Sequence, residues 1–291
     1  MKKEDAMQNT NASQPFIHPV IFVGAGPGAA DLLTLRALQR LQTSDVILYD
    51  ALTDPALQAL APQAEWIFVG KRGFCDSTSQ TAINALLVKL AQQGRRVVRL
   101  KGGDPSVFGR LEEEIQALRG AQIPCEVVPG VTAAIAAAAS IQRPLTRRGS
   151  GRTVTLTTAM TERRPASPDS AADDPFATPT PSDSIVFYMA GKQLSALARQ
   201  LSKQGWAEST PVCVVSRASC IDELHSTHSV ATLAQASLLH KGRPTVVIVG
   251  AAAVPIDAPT NQRACDKSNT RVIPLKTAIK SLTSLSTETL K

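Results

Sequence analysis

Apolar runs of strand length alternate along the chain with stretches in which leucines and isoleucines return at helical spacing. Val20-Ile21-Phe22-Val23, Val46-Ile47-Leu48-Tyr49, Trp66-Ile67-Phe68-Val69, Val97-Val98-Arg99-Leu100 and Glu126-Val127-Val128 suit strands buried on both faces. Between them, Leu32, Leu33, Leu35, Leu38 and Leu41 predict one helix, and Ile83, Leu86, Leu87 and Leu90 another. End signals agree: Asp31 is placed to cap the first helix, Ser77 to Ser79 the second, with Gly94 closing it. A helix over 112–119, closed by Gly120, and an alanine-rich helix ending before Pro144 complete a βαβα alternation. That alternation predicts a parallel sheet covered by helices on both faces.

The pattern restarts after residue 150. Thr153 to Thr158, Ser184 to Met189, Pro211 to Ser216 and Thr245 to Val249 read as strands, with helices over 191–205 and 230–239. Residues 161–183 are rich in Pro, Ser, Thr and Asp and predict a mobile insertion. The expected fold class is α/β, with two α/β domains and a cofactor cleft between them. A disordered tail covers 1–17, an N-terminal domain 18–150 and a C-terminal domain 151–253, joined near 148–152. A basic, poorly ordered tail covers 254–291, where Leu275, Ile279 and Leu282 permit a short helix.

Composition narrows the partners. The 291 residues, 43% hydrophobic, suffice for one large core or two modest ones. A net charge of +7 favours anionic partners, but aromatics at 4% are too few for a base-stacking platform and no nucleic-acid motif appears. A polyanionic small molecule fits the charge. Five cysteines, at 75, 125, 213, 220 and 265, make no CxxC pair, which argues against a zinc site or a disulfide framework. The first fifteen residues lack a signal peptide's apolar core, and no apolar run approaches the ~20 residues that span a bilayer. The expected location is the cytoplasm, with no membrane partner.

Candidate chemistry gathers in the glycine-rich loops after the strands. In Lys101-Gly102-Gly103-Asp104-Pro105, the glycines let the backbone approach a ligand, Asp104 supplies acceptors and Pro105 ends the strand. Loops at the C-terminal ends of parallel strands are where open α/β sheets bind ligands. Gly24-x-Gly26-x-x-Ala29, between a strand and a helix, also satisfies a dinucleotide fingerprint, with Asp50 about 20 residues on as a ribose ligand. Pro27 and Gly28 are not demanded by that fingerprint.

The same residues resemble the opening signature of the tetrapyrrole methylases: Val23-Gly24-Ala25-Gly26-Pro27-Gly28, then Asp31-Leu32-Leu33-Thr34-Leu35. Asp45 to Asp50, Val69-Gly70-Lys71-Arg72 and Gln80-Thr81-Ala82-Ile83-Asn84 are similar to that family's next blocks. Arg96 to Pro105 with Phe108-Gly109-Arg110 resembles the block typical of uroporphyrinogen-III C-methyltransferases. Val127 to Thr132, Pro144-Leu145-Thr146 and Val186 to Met189 follow in the family's order, so the resemblance covers about residues 19 to 251.

The resemblance implies methyl transfer from S-adenosylmethionine to C2 and then C7 of uroporphyrinogen III, giving precorrin-2, by a homodimer. It assigns Asp50 as a base and Lys71 as a proton donor. Pro27, Gly102, Gly103, Asp104, Val107, Thr132, Ala133, Met189 and Ala218 become cofactor contacts, although Met189 could equally fill core. The substrate's eight carboxylates call for a cationic cleft, for which Arg72, Lys101, Arg110 and Arg148 are candidates, with Arg99, Arg143, Arg147 and Arg152 nearby in sequence. No metal is implied.

Several positions depart from the family pattern: Ala29 replaces an aspartate, Leu111 and Glu112 two glycines, Asp76 and Arg147 histidines, and Ala159-Met160 a Gly-His pair. The departures admit action on a later precorrin, or a silent tetrapyrrole-binding relative.

Overall fold

The computed structural model describes residues 16–70, 79–159 and 182–256. Its first half runs β1 (Val20–Gly24), α1 (Leu35–Gln42), β2 (Val46–Tyr49), β3 (Glu65–Phe68), α2 (Gln80–Gln92), β4 (Val97–Lys101), α3 (Leu111–Gly120) and β5 (Cys125–Val128). The strands form one sheet in the order β3-β2-β4-β1-β5, every neighbouring pair parallel. Parallel strands packed on both faces are largely apolar, and β4 is buried at all five positions, Arg99 and Lys101 included. The chains leaving β1 and β4 depart in opposite directions across the sheet, the switch point at which such sheets build sites.

Helix ends follow hydroxyl chemistry. Ser79 accepts a hydrogen bond from Ala82 N at 3.1 Å, and Gly94 takes φ +74° just beyond α2. The first helix is capped by Thr34, which accepts from Ala37 N at 3.2 Å, and not by Asp31. A short 3-10 turn, Ala30–Leu32, separates the glycine loop from that helix.

The second half contains α4 (Ala133–Ser140), β6 (Val154–Thr158), β7 (Ser184–Tyr188), α5 (Leu194–Lys203), β8 (Pro211–Ser216), β9 (Leu224–Ser229), α6 (Ser237–His240) and β10 (Thr245–Gly250). Its sheet, β6-β7-β10-β8-β9, is parallel only between β6 and β7. The alternating pattern of the first half therefore does not extend to the second. Strand β9, Leu224-His225-Ser226-Thr227-His228-Ser229, is an edge strand whose polarity hides it from any hydrophobic pattern. The helix expected over 230–239 is a 3-10 stretch, Val230–Ala236, running into the single turn of α6.

One apolar cluster joins the halves. Ala134, Ala136 and Ala137 of α4 pack with Val186, Tyr188, Val215 and Ala218, and Val107, Val131 and Ala133 lean on the same cluster. Alanine's small side chain lets α4 lie close against the second sheet. Residues through Val254 cohere as one unit, and Pro255 opens a second of which only Pro255 and Ile256 are described. Among the described residues, Cys125, Cys213 and Cys220 are free thiols and no helix is long and apolar enough to cross a membrane. The tails predicted before Phe16 and beyond Ile256, and residues 161–181 of the predicted 161–183 insertion, lie outside the described residues.

Candidate active site

The loops at the C-terminal ends of β1, β4 and β5 are knitted together by their backbones. Gly103 N donates to Gly26 O at 2.7 Å and Gly26 N to Gly103 O at 3.2 Å, a two-residue bridge beyond the sheet proper. That pairing commits Gly26 to the β4 loop, and α1 starts only at Leu35, so the first glycine cluster does not form the anion cradle of a dinucleotide site. The approach is close enough to require glycine. A Cβ on Gly24 would lie 2.6 Å from Gly130 Cα, and one on Gly130 2.4 Å from Gly103 O.

Asp104 clasps two of these loops. One carboxylate oxygen accepts from Gly130 N at 2.9 Å, and the other from Ser106 N at 2.8 Å and Ser106 Oγ at 2.5 Å. Asp50 ends β2 in a similar turn, accepting from Leu52 N at 3.0 Å and, more weakly, from Gly102 N at 3.4 Å. The two acids flank Gly102-Gly103 and leave it half-exposed.

The second sheet supplies the opposite wall. Strands β6, β7 and β8 all run antiparallel to β10 or parallel to one that does, so their C-terminal ends share one edge. From that edge the buried Tyr188 hydroxyl lies 2.7 Å from Thr132 Oγ1 and accepts from Ala134 N at 3.4 Å. Burial pushes the phenol's pKa up, against the opposing hydrogen bond from Thr132, so it stays protonated at neutral pH. Phe108, itself at φ +53°, sets its ring 5.1 Å from that of Tyr188. From β8's loop, Ser219 Oγ accepts from Ala29 N at 3.1 Å, and a Cβ on Gly28 would lie 2.3 Å from Cys220 Sγ.

Seven described non-glycine residues have positive φ, and five of them, Phe108, Arg110, Met189, Arg217 and Ser219, lie on these loops. Such backbone persists only where its surroundings over-determine it, and it concentrates at sites. Met189, 44% exposed, faces solvent and is not core filler.

The fold thus brings Pro27, Gly102, Gly103, Asp104, Val107, Thr132, Ala133, Met189 and Ala218 to the facing loop ends of the two sheets, with Asp50 beside Gly102. Lys71 and Arg72 lie outside the described residues, as does Asp76. Arg148 and Arg152 are exposed, and Arg110 forks onto Glu113 through two 2.7 Å bonds. Arg143 donates to Ala253 O and Thr227 Oγ1, and Arg147 to Val254 O, so these two guanidiniums brace backbone and a strand hydroxyl.

Lys101 is a correction. Only 4% exposed, it points into the protein and meets Glu114 at 2.6 Å, so it is not a contact for a solvent-borne carboxylate. Arg99, two residues back on the same strand face, is buried too and meets Glu114 at 3.1 Å. Sequence reading missed Glu114, Tyr188 and Ser219. Two cations spaced i, i+2 in an otherwise apolar strand signal a buried acid, but Glu112, Glu113 and Glu114 offer three candidates.

Residues 19–234 match the family of tetrapyrrole (corrin/porphyrin) methylases. The chain is 44% identical over 231 residues to siroheme synthase 1 of Yersinia pseudotuberculosis, covering 79% of this chain and 47% of that protein. It is 42% identical over 233 residues to siroheme synthase of Neisseria meningitidis serogroup C, again covering 79% and 47%. The chain spans about half the length of the curated relatives it matches. Among solved structures, a uroporphyrin-III C-methyltransferase from Thermus thermophilus superposes with a TM-score of 0.68 at 35% identity, covering 83% of this chain and 99% of that one. A complex of that enzyme with S-adenyl homocysteine superposes at 0.67 and 33% identity, covering 81% and 98%. A cobalt precorrin-4 methyltransferase superposes at 0.67 and 28% identity, covering 81% and 96%.

Proposed function

The chain belongs to the tetrapyrrole methylase family, and from that premise we propose that it methylates uroporphyrinogen III at C2 and then C7, giving precorrin-2, with S-adenosylmethionine as donor. The observation that carries this reading is the convergence of Val107, Thr132, Ala133 and Ala218, from loops of both sheets, on one apolar wall.

The residues fit the donor. The wall suits a nucleoside, and a Cβ on Gly103 would meet nothing nearer than Thr132 Cα at 3.9 Å, so that turn presents open backbone. Asp104's carboxylate is engaged in holding the turn, so its part is to shape the surface rather than to reach far from it. When bound, S-adenosylmethionine supplies an electrophilic methyl on sulfur. The protein's share is alignment, which can be worth several kcal/mol in such a transfer. Asp50, half-exposed beside Gly102, is read as the base that accepts the proton released from the macrocycle after methylation, and Lys71 as the proton donor, both by family resemblance. Arg72, Arg110 and Arg148 are kept as partners for the substrate's carboxylates; Lys101 is withdrawn.

We also read the protein as a cytoplasmic homodimer with an α/β domain on each side of residue 150. The family resemblance supports the dimer, and free thiols suit a reducing compartment. Likeness to a cobalt precorrin-4 methyltransferase favours, as a second reading, methylation of a later precorrin.

The test is anaerobic incubation with S-adenosylmethionine and enzymatically generated uroporphyrinogen III, followed by mass spectrometry of the oxidised product. Two added methyl groups are expected. No methylation, in a preparation that binds S-adenosylhomocysteine by calorimetry, overturns the substrate and favours a later precorrin.

A further inference from the structure

The buried charges under the Gly102-Gly103 turn have no part in the reading above. Glu114 is fully buried, Lys101 and Arg99 nearly so. One Glu114 oxygen accepts from Arg99 Nε at 3.1 Å and from Gln80 Nε2 at 3.2 Å, and the other from Lys101 Nζ at 2.6 Å. Arg99 spends a further N–H on Leu100 O at 2.9 Å. A single carboxylate in the first turn of α3 thus joins the end of β4, on the other side of the loop in sequence, and the start of α2.

Burying three charges is expensive, and apolar residues of like volume often serve stability as well or better. Stability alone is therefore a weak reason for the cluster. Its position suggests another. Lys101 O accepts from Ala25 N at 2.8 Å, and Lys101 Cε lies 3.1 Å from where a Gly109 Cβ would be, so the lysine stem fills the space enclosed by the 102–109 loop. Burial and the neighbouring Arg99 push the lysine's pKa down, and Glu114 opposes the shift.

We propose that Glu114 is a positioning residue for the methyl-transfer site, its carboxylate drawing Arg99 and Lys101 together beneath the Gly102–Asp104 turn and so fixing the turn's backbone at the cofactor. The inference rests on the functional reading above. It acts through the turn, since Glu114 itself reaches no surface.

Three variants of the full chain test it: Glu114→Gln, Lys101→Met and the double variant. In the wild type two cations and one anion leave a net single positive charge, which the double variant preserves. Thermal unfolding reads the structural role, and calorimetry with S-adenosylhomocysteine reads the turn. Glu114→Gln is expected to lower both the melting temperature and the affinity, the latter by about tenfold or more, the scale on which sub-ångström misplacement acts. The double variant is expected to recover the melting temperature but not the affinity. Recovery of both reduces the cluster to packing and overturns the proposal, as does unchanged affinity in folded Glu114→Gln. Failure of the wild type to bind S-adenosylhomocysteine would overturn the functional reading instead, so the two failures are distinguishable.

Discussion

Asp50 shows how one carboxylate serves two ends. Its Oδ1 is tied to Leu52 N, whereas its Oδ2 has only the long contact with Gly102 N. On the function proposed above, the second oxygen is the one that would take the proton. Asp50→Asn keeps the turn and removes the base, so methyl transfer is expected to fall by about 100-fold or more while S-adenosylhomocysteine affinity stays within about threefold. Rate and calorimetry on the same preparation check it; a parallel loss of affinity would make Asp50 a shaping residue only.

A second residue carries a pH signature. His240 is fully buried, with Nδ1 2.6 Å from Ser216 Oγ and Nε2 2.9 Å from Ser226 Oγ. Burial, then His228 and Arg243, hold its pKa down at about 4. An unfolded histidine, near pKa 6.5, binds its proton more readily, so this contribution is intact above about pH 6.5 and is lost progressively as pH falls towards 4. The loss approaches about 3 kcal/mol at the low end. Urea midpoints at pH 7 and pH 5 should differ by less in His240→Gln than in wild type; equal differences would mean another group is responsible.

At the level of elements, the parallel sheet was legible because burial on both faces leaves an unbroken apolar signature, as in Val46 to Leu48. The polar edge strand β9 was not, because His225 and Thr227 are exposed while Ser226 pairs with the imidazoles of His228 and His240. The candidate site was legible where backbone geometry demands glycine and proline, and illegible where a side chain's partner lies on another element. Lys101 read as a surface cation because the sequence does not say which of Glu112, Glu113 and Glu114 turns inward to meet it. One tight demand is at the end of β1: Gly24→Ala would drive a methyl into Gly130 and Gly103 O, both backbone. A loss of about 2 kcal/mol or more is expected, measurable as a lowered urea midpoint. An unchanged midpoint would show that β1 and β5 can part without penalty.

Across the whole molecule, the site depends on how the loop after β8 seats against the loop after β1. Gly28 is the contact point, its α-carbon lying over Cys220 and Ala218 O. Gly28→Val is expected to prise these loops apart, weakening S-adenosylhomocysteine by about tenfold while leaving each sheet's core untouched. Calorimetry and near-ultraviolet circular dichroism together separate this from unfolding. Wild-type affinity in Gly28→Val would mean that the cofactor needs only the first sheet's loops.

The two sheets also have consequences for synthesis. Every strand of the first lies between Val20 and Val128, every strand of the second between Val154 and Gly250, and neither borrows a partner from the other. By the time Val154 leaves the ribosome, the nascent chain already contains every residue that pairs in its first sheet. Thr132 must wait for Tyr188, and Ala29 for Ser219. The contacts between the two sets of loops therefore need the whole chain, and one ended before Tyr188 carries the first set, the Gly102-Gly103 turn among them, without their partners from the second sheet.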